Sequence, residues 1–136
     1  PVPSLSPSPH FFYPASAEPF NADLPGAVWI GHSTFLIEAE GIAFLTDPIW
    51  DDYCSPVPIR ALKRHHEPPI SLWDLPPLDF VLISHNHYDH LDAKTVANLF
   101  KIQPDILWIV PLKLKSWFLR RGIKKVVELN WWESYE

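Results

Sequence analysis

The 136-residue sequence predicts an α/β fold, a β-meander followed by alternating strands and helices, and three features of the chain predict it. Three short stretches, Val28 to Ile30, Thr34 to Glu38 and Ile42 to Thr46, are rich in β-branched and aromatic residues and are punctuated by Gly31 and Gly41. From Phe80 onward the apolar pattern alternates between short strand-like runs and helical periodicity. Helices between successive strands imply that those strands pair in parallel.

Taken in order, residues 1–25 read as a Pro/Ser-rich extended or disordered arm. Seven prolines from Pro1 to Pro25 interrupt any ladder of backbone hydrogen bonds, while Phe11, Phe12, Tyr13 and Phe20 give the arm apolar anchor points. Residues 26–136 form the domain. Asp47-Pro48 closes the meander, because the residue before proline is steered away from helix and proline cannot donate to a sheet. Between Ile49 and Pro77 the prolines and the basic run Arg60 to His66 predict a long surface loop with at most short helical turns. Phe80 to Ile83 then reads as a strand, and Asp92 as the cap of a helix reaching about Phe100. Ile106 to Val110 is a further strand, Leu112 to Arg121 a helix stopped by Gly122, and Lys124 to Leu129 the last strand.

A chain of this length makes about one domain and buries roughly two-thirds of its unfolded surface. Lys and Arg number 11 against 16 Asp and Glu, and the formal net charge of −5 disfavours the phosphate attraction on which nucleic-acid binders depend, so no nucleic-acid partner is expected. Cys54 is the only cysteine and has no partner for an internal disulfide or a Cys-pair zinc site, which agrees with a reducing compartment. No apolar run is long enough to span a bilayer, and the beginning lacks the pattern of a secretory signal. The expected location is intracellular, in the cytoplasm or at a membrane periphery. The chain has no Met and opens on Pro1, which is compatible with a trimmed natural start.

The chemistry is concentrated in Ser84 to Asp92, SHNHYDHLD. In an extended segment residues two apart point the same way, so His85 and His87 can present two imidazoles to one ion. Asp89 and His90 follow after a turn, toward an adjacent second ion of the kind found in two-metal hydrolytic sites. Imidazole and carboxylate donors suit zinc, iron or manganese, and without thiolates nothing favours a closed structural site. The loop also leaves the carboxyl end of an apolar strand, where open α/β sheets place their ligand crevices. The bland alternative is a set of surface and capping groups, a description that fits Asp92 better than the other four.

This loop resembles that of the metallo-β-lactamase superfamily, and the wording around it is most similar to the N-acyl-phosphatidylethanolamine-hydrolysing phospholipase D family. The stretches that carry the likeness are WIGHSTFLIE, FLTDPIW, KRHHEPPISLWDLPPLDFVLISHNHYDHLD and VVELNWWE, which span Ala27 to Glu133. The resemblance implies the N-terminal half of an αββα sandwich with two divalent ions, zinc in expectation, His85 and His87 holding the first and Asp89 and His90 the second. It also implies phosphodiester hydrolysis releasing an N-acylethanolamine and phosphatidic acid, with a phospholipid substrate; related loops serve lactonases, thioesterases and nucleases. The family's third His, bridging Asp and late His fall after the Trp131-Trp132-Glu133 segment, so the chain alone is expected to bind metal weakly. A fragment, a truncated product, or a non-catalytic half that pairs with another chain or copy would each account for that.

Other residues carry weaker signals. His32 lies in a strand-to-strand turn near the expected metal centre and reads as a structural or supporting group, with a ligand role as the alternative. Asp47 ends a strand on the same side, where a carboxylate can accept the spare N–H of a ligating His or simply cap the turn before Pro48. Arg64, His65 and His66 are candidates to meet a substrate phosphate, against the plainer reading of a solvated basic loop. Lys113, Lys115, Arg120, Arg121, Lys124 and Lys125 surround Trp117, Phe118 and Leu119; they could rest on an anionic membrane surface, but the pattern is that of an ordinary amphipathic helix whose Trp faces the core. Trp131 and Trp132, if exposed, make an apolar patch awaiting another layer.

Overall fold

A computed structural model of the chain describes residues 25–55, 57–60 and 63–136. Apart from Pro25, the N-terminal arm lies outside the described residues. Six strands form one mixed sheet in sequence order: β1 (Gly26–Gly31), β2 (Thr34–Ala39), β3 (Ile42–Thr46), β4 (Phe80–Leu82), β5 (Leu107–Pro111) and β6 (Val126–Leu129). The first three are antiparallel, and β3 to β6 run parallel. Meander and parallel half therefore both follow the sequence reading, and β3 belongs to each. The crossover between β4 and β5 carries α1 (Ala93–Ile102), and that between β5 and β6 carries α2 (Lys115–Leu119).

Strand register explains where the core sits. Leu36, Leu45, Val81, Trp108 and Val126 are directly opposed across β2 to β6, and all five are buried; Val28 on β1 faces Leu36 and packs on the same cluster. Val96 and Leu99 of α1 and Phe118 of α2 join that cluster. Because side chains alternate along a strand, the intervening residues fill the opposite face. There Ile37, Phe44, Phe80 and Leu107 form one cross-strand row, and Phe35, Thr46, Leu82, Ile109 and Val127 the next. This second face is apolar but only partly covered: Phe44 and Phe80 stack with ring centroids 4.5 Å apart, and Trp29, Phe35 and Ile42 are exposed. A sheet that is apolar on both sides is one layer of a larger stack.

Asp92 caps α1 as expected, accepting from the backbone N–H groups of Lys94 and Thr95. The second helix differs from the sequence reading. It runs only from Lys115 to Leu119 rather than from Leu112, because Pro111 still belongs to β5 and Lys113 takes a left-handed turn at φ +72°. Gly122, at φ +81°, follows its end. Phe118 is buried and Trp117 packs on the core, with the Arg121 guanidinium 3.4 Å from the Trp117 ring centroid. The basic residues thus surround an amphipathic helix whose aromatic groups face inward. Trp131 and Trp132 are 86% and 99% exposed, so the apolar patch at the end of the chain is open. Among the described residues no helix is long and apolar enough to cross a membrane.

The described residues between 49 and 77 include a 3-10 turn at Leu72–Asp74 and a bridge between Tyr53 and Lys63, in keeping with the expected long loop with short helical turns. It is nevertheless anchored: the Trp50 N–H donates to Thr95 Oγ1 on α1, and the indole N–H donates to the Ile70 carbonyl.

Glu128 on β6 accepts the Lys115 N–H at 2.9 Å. That bond, reinforced by the N–H groups of Lys113 and Leu114 and by the Lys115 charge, outweighs the cost of desolvation and holds the carboxyl below its ordinary range. A depressed carboxylate pKa contributes stability that is complete above the unfolded value and is lost as pH falls through the folded one. Melting temperatures measured downward from about pH 5.5 should therefore fall less steeply in Glu128→Gln than in the wild type. Parallel curves would show that Glu128 does not hold the start of α2.

Candidate metal centre

Three segments meet at one rim of the sheet: the β1–β2 turn with His32, the end of β3 with Asp47, and the loop after β4 with Ser84 to His90. Strands β3 and β4 are parallel and adjacent, so Asp47 and Ser84 emerge side by side at their carboxyl ends. The Asp47 N–H donates to the Leu82 carbonyl, extending the pairing to the rim. His32 and Asp47 have φ of +50° and +37°, a region that side-chain-bearing residues rarely enter. Strain of this kind persists where surrounding contacts hold it, and here it sits in two of the three segments that meet at this rim.

The loop itself supplies four donors. His85 Nε2 and His87 Nδ1 lie 3.1 Å apart, so the alternation expected of an extended segment does bring the two imidazoles together. A turn then forms, with the His90 and Leu91 N–H groups both donating to the His87 carbonyl, and it delivers Asp89 and His90 to the same space. Asp89 Oδ2 stands 3.6 Å from His90 Nε2 and 3.1 Å from His32 Nε2. The two halves of the loop are contiguous, with the His85 and His90 ring centroids 4.0 Å apart.

His32 is closer than the sequence suggested. Its ligand atom and those of Asp89 and His90 all lie within 4.8 Å of one another, so it stands among the donor atoms rather than behind them. Asp47 lies beneath the loop, in contact with His90. It is 5% exposed, and its Oδ2 accepts from His90 Nδ1 at 2.9 Å. Sequence reasoning missed Ser84, whose N–H and hydroxyl both donate to Asp47, at 2.7 and 2.6 Å, while its Oγ lies 2.9 Å from His85 Nδ1.

Arg64 has partners in the fold itself. Its Nη2 donates to the Ile49 carbonyl at 2.7 Å, and its Nη1 lies where a Cβ on Gly31 would approach to 2.8 Å. A guanidinium tied down in this way braces the long loop against the β1–β2 turn. The contact also explains the glycine, since Gly31 takes φ +143° as well as lacking room for a side chain. His65 and His66 are exposed on the same loop.

Partial burial pushes the Asp89 carboxyl up, but its own backbone N–H and the His90 and His32 imidazoles outweigh that, and the group titrates below the usual carboxylate range. It is an anion at neutral pH. Burial raises the Cys54 thiol, the Arg64 charge opposing and Asp89, Asp92 and Asp51 adding to the rise, so Cys54 is a thiol rather than a thiolate donor. The centre is thus an all-imidazole-and-carboxylate set with one fixed negative charge, a donor chemistry that fits zinc, iron or manganese.

The profile of the beta-lactamase superfamily domain matches residues 43–136, and the chain belongs to that superfamily. It is 48% identical over 115 residues to N-acyl-phosphatidylethanolamine-hydrolyzing phospholipase D 1 of Caenorhabditis elegans, covering 81% of this chain and 32% of that protein. The mitochondrial enzyme of the same name from Saccharomyces cerevisiae is 34% identical over 108 residues, covering 79% and 23%. The chain thus spans about a third or less of these relatives. Among solved structures, CmlA, a diiron beta-hydroxylase from Streptomyces venezuelae, superposes with a TM-score of 0.63 at 25% identity, covering 82% of this chain and 22% of CmlA. The six-stranded sheet is accordingly part of a metallo-β-lactamase fold, as the sequence resemblance implied.

Proposed function

We propose that this chain carries the metal-binding part of a hydrolase that cleaves a phosphodiester, with N-acylated phosphatidylethanolamine as its substrate. The observation that carries the reading is the convergence of His85 Nε2 with His87 Nδ1, and of Asp89 Oδ2 with His90 Nε2 and His32 Nε2, at one rim of the sheet. The 48% identity to a protein named for this activity supports the substrate class. His85 and His87 would hold one divalent ion and Asp89 and His90 a second, zinc being the favoured metal, with His32 as an additional donor beside Asp89. Bound there, such ions supply Lewis acidity that neutralises charge developing on a phosphoryl group.

The chain's own residues do the rest. Asp89 contributes the negative charge that two neighbouring cations require, and the buried Asp47 accepts the spare N–H of His90, fixing which ring nitrogen faces the centre. Arg64, His65 and His66, on the long loop, are candidates to meet a phosphate head group at a membrane periphery, and an intracellular compartment is part of the same proposal. A second reading, a half-domain completed by another chain or copy, is favoured by the apolar outer face on which Trp29, Phe35 and Ile42 are exposed.

Elemental analysis of the wild type against His87→Ala, with a phosphodiesterase assay alongside, tests the primary reading. The wild type should retain divalent metal and the variant should lose most of one equivalent. A wild type holding less than about a tenth of an equivalent would remove catalytic competence from this chain, because catalytic sites hold their ion through several protein ligands.

A further inference from the structure

The hydrogen-bond partners of Asp47 and Ser84 determine which ring nitrogens of His85 and His90 carry protons. The Asp47 carboxylate has no hydrogen to give, so every neighbour must donate to it. Its Oδ1 receives the Ser84 N–H at 2.7 Å, and its Oδ2 receives the Ser84 hydroxyl at 2.6 Å and His90 Nδ1 at 2.9 Å. The Ser84 hydroxyl has a single hydrogen, and the shorter contact to a charged acceptor claims it. Ser84 Oγ then has only lone pairs left for His85 Nδ1 at 2.9 Å, so that nitrogen must carry the proton. His90 Nδ1 must carry one by the same count. Each ring therefore turns a bare Nε2 outward, toward His87 Nδ1 in one case and Asp89 Oδ2 in the other.

We propose that Ser84 is a positioning residue which, with Asp47, sets the tautomer of one imidazole in each ligand pair, so that one buried carboxylate readies both halves of the centre. The inference rests on the metal-centre reading above. Ser84 relays the Asp47 charge to His85, whereas His90 reads it directly. The 3.4 Å separation of Ser84 Oγ from His90 Nδ1 is long beside the 2.9 Å contact to Asp47 and leaves that division intact.

The scheme makes the two residues separable. In Ser84→Ala only His85 loses its partner, and its tautomers mix. In Asp47→Asn the amide oxygen is needed by the Ser84 N–H, so the amide NH2 faces Ser84 Oγ and His90 Nδ1. Both then accept from it, Ser84 donates its hydroxyl hydrogen to His85 Nδ1, and both imidazoles carry their proton on Nε2, where a ligand lone pair is required. Ser84→Thr keeps the hydroxyl and should behave as wild type.

Long-range proton–nitrogen NMR correlations of the metal-free protein at about pH 8.5, where an ordinary imidazole is neutral, read the tautomers directly. Zinc(II) alone, titrated calorimetrically, reads affinity. The wild type should show His85 and His90 protonated on Nδ1, Ser84→Ala should change His85 alone, and Asp47→Asn should invert both. Zinc should bind about 10–100-fold more weakly to Ser84→Ala, with Ser84→Thr restoring it. A wild type with His85 protonated on Nε2, or a Ser84→Ala protein with unaltered His85 tautomer, overturns the proposal, and the wild-type spectrum decides even if a variant fails to fold. Correct tautomers in a wild type that takes up no zinc would instead leave this assignment standing and sink the metal function.

Discussion

Replacing Trp108 with Ala is expected to lower the unfolding free energy by about 3–5 kcal/mol, the range for truncating a buried large aromatic side chain. Trp108 is fully buried between Val81 and Val126 in the cross-strand row that starts at Leu36, and its ring meets that of Phe118 with centroids 5.1 Å apart. Its indole therefore couples the parallel half of the sheet to α2, and no small side chain fills that space. Domains are stable by about 5–15 kcal/mol in total, so the loss is about a fifth of the margin or more. Trp132→Ala is the control, since that side chain is 99% exposed and surface changes usually stay within about 0.5 kcal/mol. Urea unfolding followed by near-ultraviolet circular dichroism separates the two, and equal losses would show that the row is not the core.

Asp89→Ala should abolish most of the stabilisation that zinc confers. Asp89 Oδ2 lies 3.1 Å from His32 Nε2 and 3.6 Å from His90 Nε2, and it is the anion of the donor set. A ligand present at a hundred times its dissociation constant stabilises the folded state by about 2.7 kcal/mol. Losing even an outer partner weakens metal sites by about 10–100-fold, and a direct donor should cost at least the upper figure. At the same zinc concentration the variant would then gain only about 0.4 kcal/mol. Thermal melts with and without zinc provide the measurement. An undiminished zinc shift in the variant would place the ion elsewhere on the protein.

Much of this architecture was legible in the sequence because the governing signals are local. The meander announced itself through β-branched runs broken by Gly31 and Gly41, and the parallel half through the spacing of Phe80, Ile106 and Lys124. The extent of α2 was not legible. Leu112 to Arg121 has helical composition, and only the pairing of Pro111 with Leu129 and the left-handed turn at Lys113 delay its start. Within the site, the spacing in the loop anticipated the meeting of His85 with His87. The roles of His32, Ser84 and Arg64 were hidden, because each depends on a partner in another segment: Asp89 is 57 residues from His32, and Asp47 is 37 from Ser84. The second apolar face did leave a trace, in the nearly unbroken apolar runs Phe80 to Ile83 and Ile106 to Val110.

The β1–β2 hairpin ties chemistry to strand pairing. His32 is delivered by a turn of two residues between Gly31 and Thr34, opposed across the ladder, while the other donors come from a crossover loop on the far side of β3. Shifting β1 against β2 by one position would exchange the two faces of β1 along its whole length. The same slip would carry the imidazole away from Asp89. Insertions in this hairpin should therefore silence the rim while leaving the parallel half of the sheet intact, so a two-residue surface turn is not free to drift in length.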